Sequence, residues 1–322
     1  MAEWDRRLSN RLGGLPYLAL LVGLAMVIVW LAVVAGRSSS SSSASPTTGT
    51  EELACQTLAH GKLLGSLPEA SGLALSLRTP NVLWSLNDSD APVVIALDAA
   101  GDTVGRVRIS GADVNNWEDV SVAPCRNGSC LYVADTGNGG GTQRNEVVIY
   151  RVPEPGPGDK ETAPAEVFDA AYPEGEDHEA EAVFVIDEQL FLVTKGHPST
   201  LFRFPREMPH GSLATLERIG QVPTERFLEG TIPRRTRITD GETSPDGRWV
   251  ALRTNEALLL YRSRDLIAGQ MNALWHADLR ALDETQGEGV AISDDGDVYL
   301  AGEGGGRGLP GTFAHMKCVL PQ

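Results

Sequence analysis

Carboxylates recur in this chain immediately ahead of short apolar runs. Glu69 leads into Ala70-Ser71-Gly72-Leu73, Glu118 and Asp119 into Val120 and Val122, Glu179 and Glu181 into Val183-Phe184-Val185, and Glu288 into Val290-Ala291-Ile292. Asp240 and Glu242 stand in the same position before a Pro245-Asp246-Gly247 turn. A second polar set closes the apolar segment that follows each turn: Asn87 and Asp88, Asp135 and Asn138, Lys195, Arg253, and Glu303. Gathered at one place, so many acids would repel one another unless protonated, paired or bound to a cation. Hard oxygen ligands of this kind suit Ca²⁺ or Mg²⁺ rather than zinc or copper. The candidate metal ligands are Asn87, Asp88, Glu118, Asp135, Asn138, Glu181 and Glu288, with calcium the expected ion. Glu69, Asp119, Glu179, Lys195, Asp240, Glu242, Arg253 and Glu303 are expected beside them. Lys195 and Arg253 offer a metal-free alternative, because they can neutralise the acids directly. His178 and His197 flank the third repeat and are candidate acid–base groups near neutral pH.

These residues need a scaffold that brings five separate stretches together. From Pro68 onward, short strands alternate with Gly, Asp, Asn and Pro turns, and no long 3.6-residue period appears, which is an all-β pattern. The acid–strand–turn–strand–polar unit occurs five times, and Val93–Leu97, Val147–Val152, Leu201–Phe204 and Leu258–Tyr261 supply third strands to all but the last. Val104–Ile109 and Glu166–Ala170 read as fourth strands. Four-stranded antiparallel units at such spacings predict a β-propeller, of five blades, with a sixth in Pro223–Ile238 left open. The inner strands would then line a channel and place both polar sets at one mouth. Leu63–Leu67 is the expected outer strand of the last blade, closing the ring.

The N-terminal part reads differently. Residues 15–35 carry no charge, and twenty-one residues at about 1.5 Å rise span about 31 Å, matching a bilayer core of about 30 Å. Arg6, Arg7 and Arg11 precede the span, so residues 1–14 are expected in the cytoplasm and the remainder outside, as a single-pass membrane protein. Cleavage after Val33-Val34-Ala35, giving a secreted protein, is the alternative. A serine-rich tether covers 36–52, and the exported domain 53–322. Export agrees with four cysteines, for which Cys125–Cys130 across a tight turn and Cys55–Cys318 near the domain ends are the expected disulfides. The whole chain has net charge −16, which argues against nucleic acid as a partner.

The acid-led blade openings at Glu69, Glu118, Glu181 and Glu288, with Trp84–Ser89 and Leu131–Asn138, resemble exported bacterial β-propellers of the phytase-like and gluconolactonase-like kinds. That resemblance implies divalent cations, usually calcium, held among carboxylates at one channel mouth. The mouth has few basic positions for phosphate, chiefly Lys195 and Arg253, which departs from the phytase pattern. The expected function is a membrane-anchored extracytoplasmic propeller that binds an unknown small-molecule or protein ligand at an acidic, cation-binding mouth. A metal-dependent hydrolase of a phosphate ester or lactone, and a non-catalytic envelope scaffold, are the alternatives. No Gly-x-Ser-x-Gly, P-loop or His-Glu-x-x-His pattern occurs after residue 52.

Overall fold

The computed structural model describes residues 50–89, 91–138, 144–207, 211–224, 236–306 and 308–321. The expected membrane span at 15–35, the segment before it and most of the serine tether lie outside the described residues. Among the described residues, no helix is long and apolar enough to cross a membrane.

Gly49–Gln322 form one compact unit made of five antiparallel sheets. The first blade comprises Ala70–Leu75, Val82–Asn87, Val93–Asp98 and Thr103–Arg108. The second comprises Trp117–Cys125, Gly128–Asp135, Glu146–Pro153 and Glu166–Ala171, and the third Ala180–Ile186, Gln189–Thr194, Ser199–Arg203 and Glu217–Val222. Ile238–Thr243, Trp249–Thr254, Ala257–Arg262 and Trp275–Asp278 make the fourth. The fifth uses Gln286–Ile292, Asp297–Glu303, Gly311–Cys318 and, from the start of the domain, Cys55–Leu64. Each inner strand packs against the inner strand of the next blade, and the fifth returns to the first, so the ring is closed. The fold is a five-bladed β-propeller.

The sheets stack face to face, which explains the almost unbroken apolar character of the inner strands. Five buried clusters each fill the space between one pair of adjacent blades. Two details differ from the sequence expectation. The last blade does have a third strand after Glu303, Gly311–Cys318, hidden from a pattern reading because His315 and Lys317 alternate with its buried residues. The closing outer strand runs over Cys55–Leu64, so only Leu63 and Leu64 of the expected segment belong to it. Most of its side chains are exposed, as suits an outermost strand, and so it lacks the apolar signature of the inner ones. The stretch considered for a sixth blade ends where the fourth blade's inner strand begins, at Ile238; its residues 225–235 lie outside the described residues.

Two small additions tie blades together. Ala214–Thr215, within the third blade's excursion, pairs in parallel with the outer strand of the second. Glu51–Glu52 pairs in parallel with Trp275 and His276 on the fourth.

Both expected disulfides are formed. Cys55 is the register partner of Cys318 in the closing blade, so that bridge fastens the outer strand to the one beside it. It spans 263 residues, against five for Cys125–Cys130. Loop-closure entropy then predicts that Cys318→Ser lowers unfolding free energy by roughly 3–5 kcal/mol, and Cys130→Ser by about 2 kcal/mol. Denaturant titration of the two variants tests this; equal losses would show that the long bridge does not hold the ring closed.

Candidate functional site at the channel mouth

Every inner hairpin has a register irregularity near the start of its inner strand. The residues at these bulges are Glu118, Glu181, Thr239 and Glu288, with the shift in the first blade falling between Ser71 and Ala74. A bulge re-aims a side chain that strict alternation would direct elsewhere. Here it frees the acids that open the blades to converge on the channel while the strands beyond them remain packed between sheets.

One residue further along each inner strand stand Gly72, Asp119, Ala182, Asp240 and Gly289, three small residues and two acids. Asp119 and Asp240 are fully buried and hydrogen-bonded to each other. Asp119 also accepts from Val120 N on its own strand and from Val183 N on the third blade, each at 2.6 Å. Asp240 does the same one pair of blades on, accepting from Gly241 N and from Val290 N on the fifth, each at 2.5 Å. Gly72 has φ +65°, and a Cβ there would lie 2.5 Å from Asp119 Oδ1 and 2.6 Å from Val120 N, so this position requires glycine on both counts. Two carboxyl groups in mutual hydrogen-bond contact need a proton between them. Burial raises Asp240 to about 7, and burial together with Asp240 itself lifts Asp119 well above the usual range. Deeper along the strand, Glu242 is buried and accepts from Val122 N across the channel; burial raises it too. These three acids are structural groups, each shifted by burial toward its protonated form.

The mouth proper is built around Lys195. Its ammonium lies 2.7 Å from Glu181 Oε1 and 3.7 Å from Glu179 Oε1. Glu118, Glu179 and Glu181 bring carboxylate oxygens within 4.8 Å of one another. Glu118 accepts from Asn116 Nδ2 at 2.7 Å and fills a cradle at Gly137, where a Cβ would sit 1.8 Å from Glu118 Oε1. Burial and then the Glu181 charge push Glu118 up; burial, opposed by Lys195, pushes Glu181 up; and burial lifts Glu288 to about 8. Burial and then Asp88 raise Glu303, and burial and then Glu69 raise Asp88 against a hydrogen bond from Ser89. Lys195 is held protonated: burial opposes its charge, and Glu181, Glu288 and Glu118 more than restore it. Beside it opens a polar pocket of about 260 Å³ whose lining includes Lys195, Arg237, Thr239, Asn255 and Glu288.

The predicted residues therefore divide. Glu69, Asp88, Glu118, Glu179, Glu181, Lys195, Glu288 and Glu303 share one electrostatic neighbourhood. Asp119, Asp240 and Glu242 belong to the channel axis. Asn87 braces the loop before the first blade, accepting from Glu69 N and donating to Ser66 O, each at 3.1 Å. Asp135 is taken up by Arg144 at 2.5 Å and by the amides of Asn115 and Asn116. Asn138 closes the same loop, half-buried, with an Oδ1 that has no hydrogen-bond partner among the described residues. Arg253 is buried between the fourth and fifth blades, donating to Gly289 O and Ala301 O and ion-paired to Glu284, so it gives the mouth no free charge. His178 bonds Glu176 at 2.7 Å and packs against Tyr172 and Phe202. His197 is exposed, with Thr236 Oγ1 3.5 Å from its ring. Arg144, Arg237 and Glu284 were invisible to pattern reading because they come from connections between repeats, where no periodicity marks them.

The fold and site together define a closed five-bladed propeller with an acidic channel mouth. No protein-family model matches the chain, and no curated protein matches it. Solved structures similar to it include the PQQ-bound aldose sugar dehydrogenase of Streptomyces coelicolor, at 11% identity and TM-score 0.48 over 82% of this chain and 98% of that one. A gluconolactonase from Xanthomonas campestris aligns at 11% identity and TM-score 0.44 over 81% and 89% of the two chains. The reading of the site rests on this chain's own residues.

The channel carboxyl pair gives stability a defined pH dependence. Asp240, ordinarily at 3.8, sits at about 7 in the folded chain, so the folded state keeps a proton that the unfolded state has released. That stabilisation is complete below about pH 4 and is lost as pH rises toward 7, by up to about 1.4 kcal/mol per pH unit. Asp240→Asn, which supplies a permanent donor to Asp119, is expected to flatten the fall in melting temperature between pH 5 and 7. An unchanged slope would rule out the shared proton as its source.

Proposed function

We propose that this chain is a membrane-anchored, extracytoplasmic propeller that binds a divalent cation, with calcium the best fit, and a small polar ligand at its channel mouth. The observation that carries the reading is the convergence of Glu118, Glu179 and Glu181 on one point beside a polar pocket. Ca²⁺–oxygen distances of about 2.3–2.6 Å put ligands on opposite sides of the ion roughly 4.6–5.2 Å apart, so the triad's spacing fits a calcium ion. Its donor set is all carboxylate oxygen, the chemistry calcium prefers. The half-buried Asn138 side-chain oxygen beside Gly137, without a hydrogen-bond partner among the described residues, is a further candidate ligand. The anchor is supported by the uncharged run 15–35 and the arginines before it.

The two histidines expected as acid–base groups lend hydrolysis no support; a hydrolytic mouth would take that role from a raised carboxyl such as Glu288. His178 is committed to Glu176 and an aromatic cluster, and His197 lies exposed.

Calcium at about a hundredfold excess over its dissociation constant contributes about 2.7 kcal/mol, which should raise the melting temperature by roughly 5–10 °C. EDTA should reverse the shift, and Glu118→Gln combined with Glu181→Gln should abolish it while leaving a folded protein. Affinity should increase from pH 6 to 8, because the buried acids must lose protons to bind the ion. Metal-free protein by elemental analysis, with a melting temperature indifferent to calcium and EDTA, would sink the proposal.

A further inference from the structure

We propose that the pocket beside Lys195 takes a small hydroxylated oxyanion, carboxylate or phosphate, and that Lys195 couples its binding to that of the cation, a step resting on the cation reading above. The pocket differs in character from the acids around it. Two of its lining residues are cations, Lys195 and the exposed Arg237. Among the described lining residues they stand against one carboxyl, Glu288. Locally the pocket is therefore positive, although the propeller as a whole is strongly negative.

The remaining lining is built for hydroxyl groups. Thr285 and Gln286 contribute a hydroxyl and an amide. Asn255 donates its Nδ2 to Gly287 O at 3.1 Å, which leaves its side-chain oxygen as an acceptor. Thr239, only 2% exposed, lines the pocket, and its Oγ1 has no hydrogen-bond partner among the described residues. A buried hydroxyl left unbonded is costly and is satisfied by a polar ligand. At about 260 Å³, the space is below the roughly 300–1,000 Å³ of pockets for drug-sized molecules, so the ligand is small.

Lys195 stands on the boundary between this pocket and the carboxylate triad. Its ammonium is the counter-charge for Glu181 and, more distantly, Glu179, both members of the triad. A divalent cation in the triad takes over that role and repels the ammonium beside it. An oxyanion in the pocket relieves the repulsion by pairing with the displaced charge. The two ligands then strengthen each other's binding, and by linkage the effect is reciprocal.

Calorimetry on the full-length chain in detergent separates the possibilities, with glycerate and glycerol phosphate as probes, each titrated in EDTA and in saturating calcium. The expected result is binding of one or both anions that tightens about fivefold or more with calcium, within the usual range of coupling. The stronger binder identifies the carboxylate or the phosphate class. Lys195→Met should remove the calcium dependence, Lys195→Arg should retain it, and Arg237→Gln should weaken the anion. Melting curves would confirm that the variants fold. Calcium binding with anion affinity unchanged, or with no anion binding, overturns this inference and leaves the cation reading standing. Failure of calcium to bind at all overturns the cation reading first, and the coupling with it.

Discussion

The hydrogen-bonded Asp119–Asp240 pair is the contact on which the centre of this propeller depends. Two carboxyl groups, from the second and fourth blades, each bond a backbone amide on the following blade and then each other. The inner strands of the second to fifth blades are tied in this way by carboxyl-to-amide bonds. The first is tied by Ser71 Oγ, which donates to Glu118 O, and by close approach: Gly72 packs against Asp119, and a Cβ on Gly289 would come within 2.9 Å of Leu73 Cβ. Burying two acids is tolerable only because one proton is shared and each oxygen has an amide donor.

The mouth sits directly above this clasp and inherits its geometry. Glu118 and Glu181 precede the clasp positions of their strands by one residue, at the bulges. The rigidity of the axis therefore fixes how closely the mouth acids approach. At the mouth, among the described residues, Lys195 is the counter-charge to several carboxyls. It cannot neutralise all its neighbours, and the proposed cation would offset that imbalance. Arg253, which by sequence belongs with Lys195, is instead turned into the interface of two blades, where Glu284 and two carbonyls satisfy it.

The periphery follows a different logic. The closing strand Cys55–Leu64 is mostly exposed and contributes little apolar burial, so the covalent link to Cys318 carries much of what holds it to the ring. On the face opposite the mouth, the buried Glu154 accepts from Trp84 Nε1, Ser76, Ser129 and the Arg78 amide, joining the first two blades much as Arg253 joins the last two.

The repeat, the all-β character, the blade number and both cysteine pairs were legible in the sequence, because each depends on local pattern: alternation, turn residues, and cysteines that bracket a turn or the domain. The strands that pattern reading missed, Gly311–Cys318 and most of Cys55–Leu64, lie at the outer part of the last blade, where polar and apolar residues mix. The acids that would meet were legible as a group, since every inner strand begins at the same end of the channel. Their separate fates were not. Asp119 and Glu118 are adjacent in sequence, yet one belongs to the buried carboxyl pair on the axis and the other to the acid triad at the mouth. The bulge between Trp117 and Asp119 decides which is which. Whether an arginine faces the channel or a neighbouring blade, and whether an aspartate meets a cation or Arg144, depends on residues distant in sequence. Only the closed ring brings those partners together.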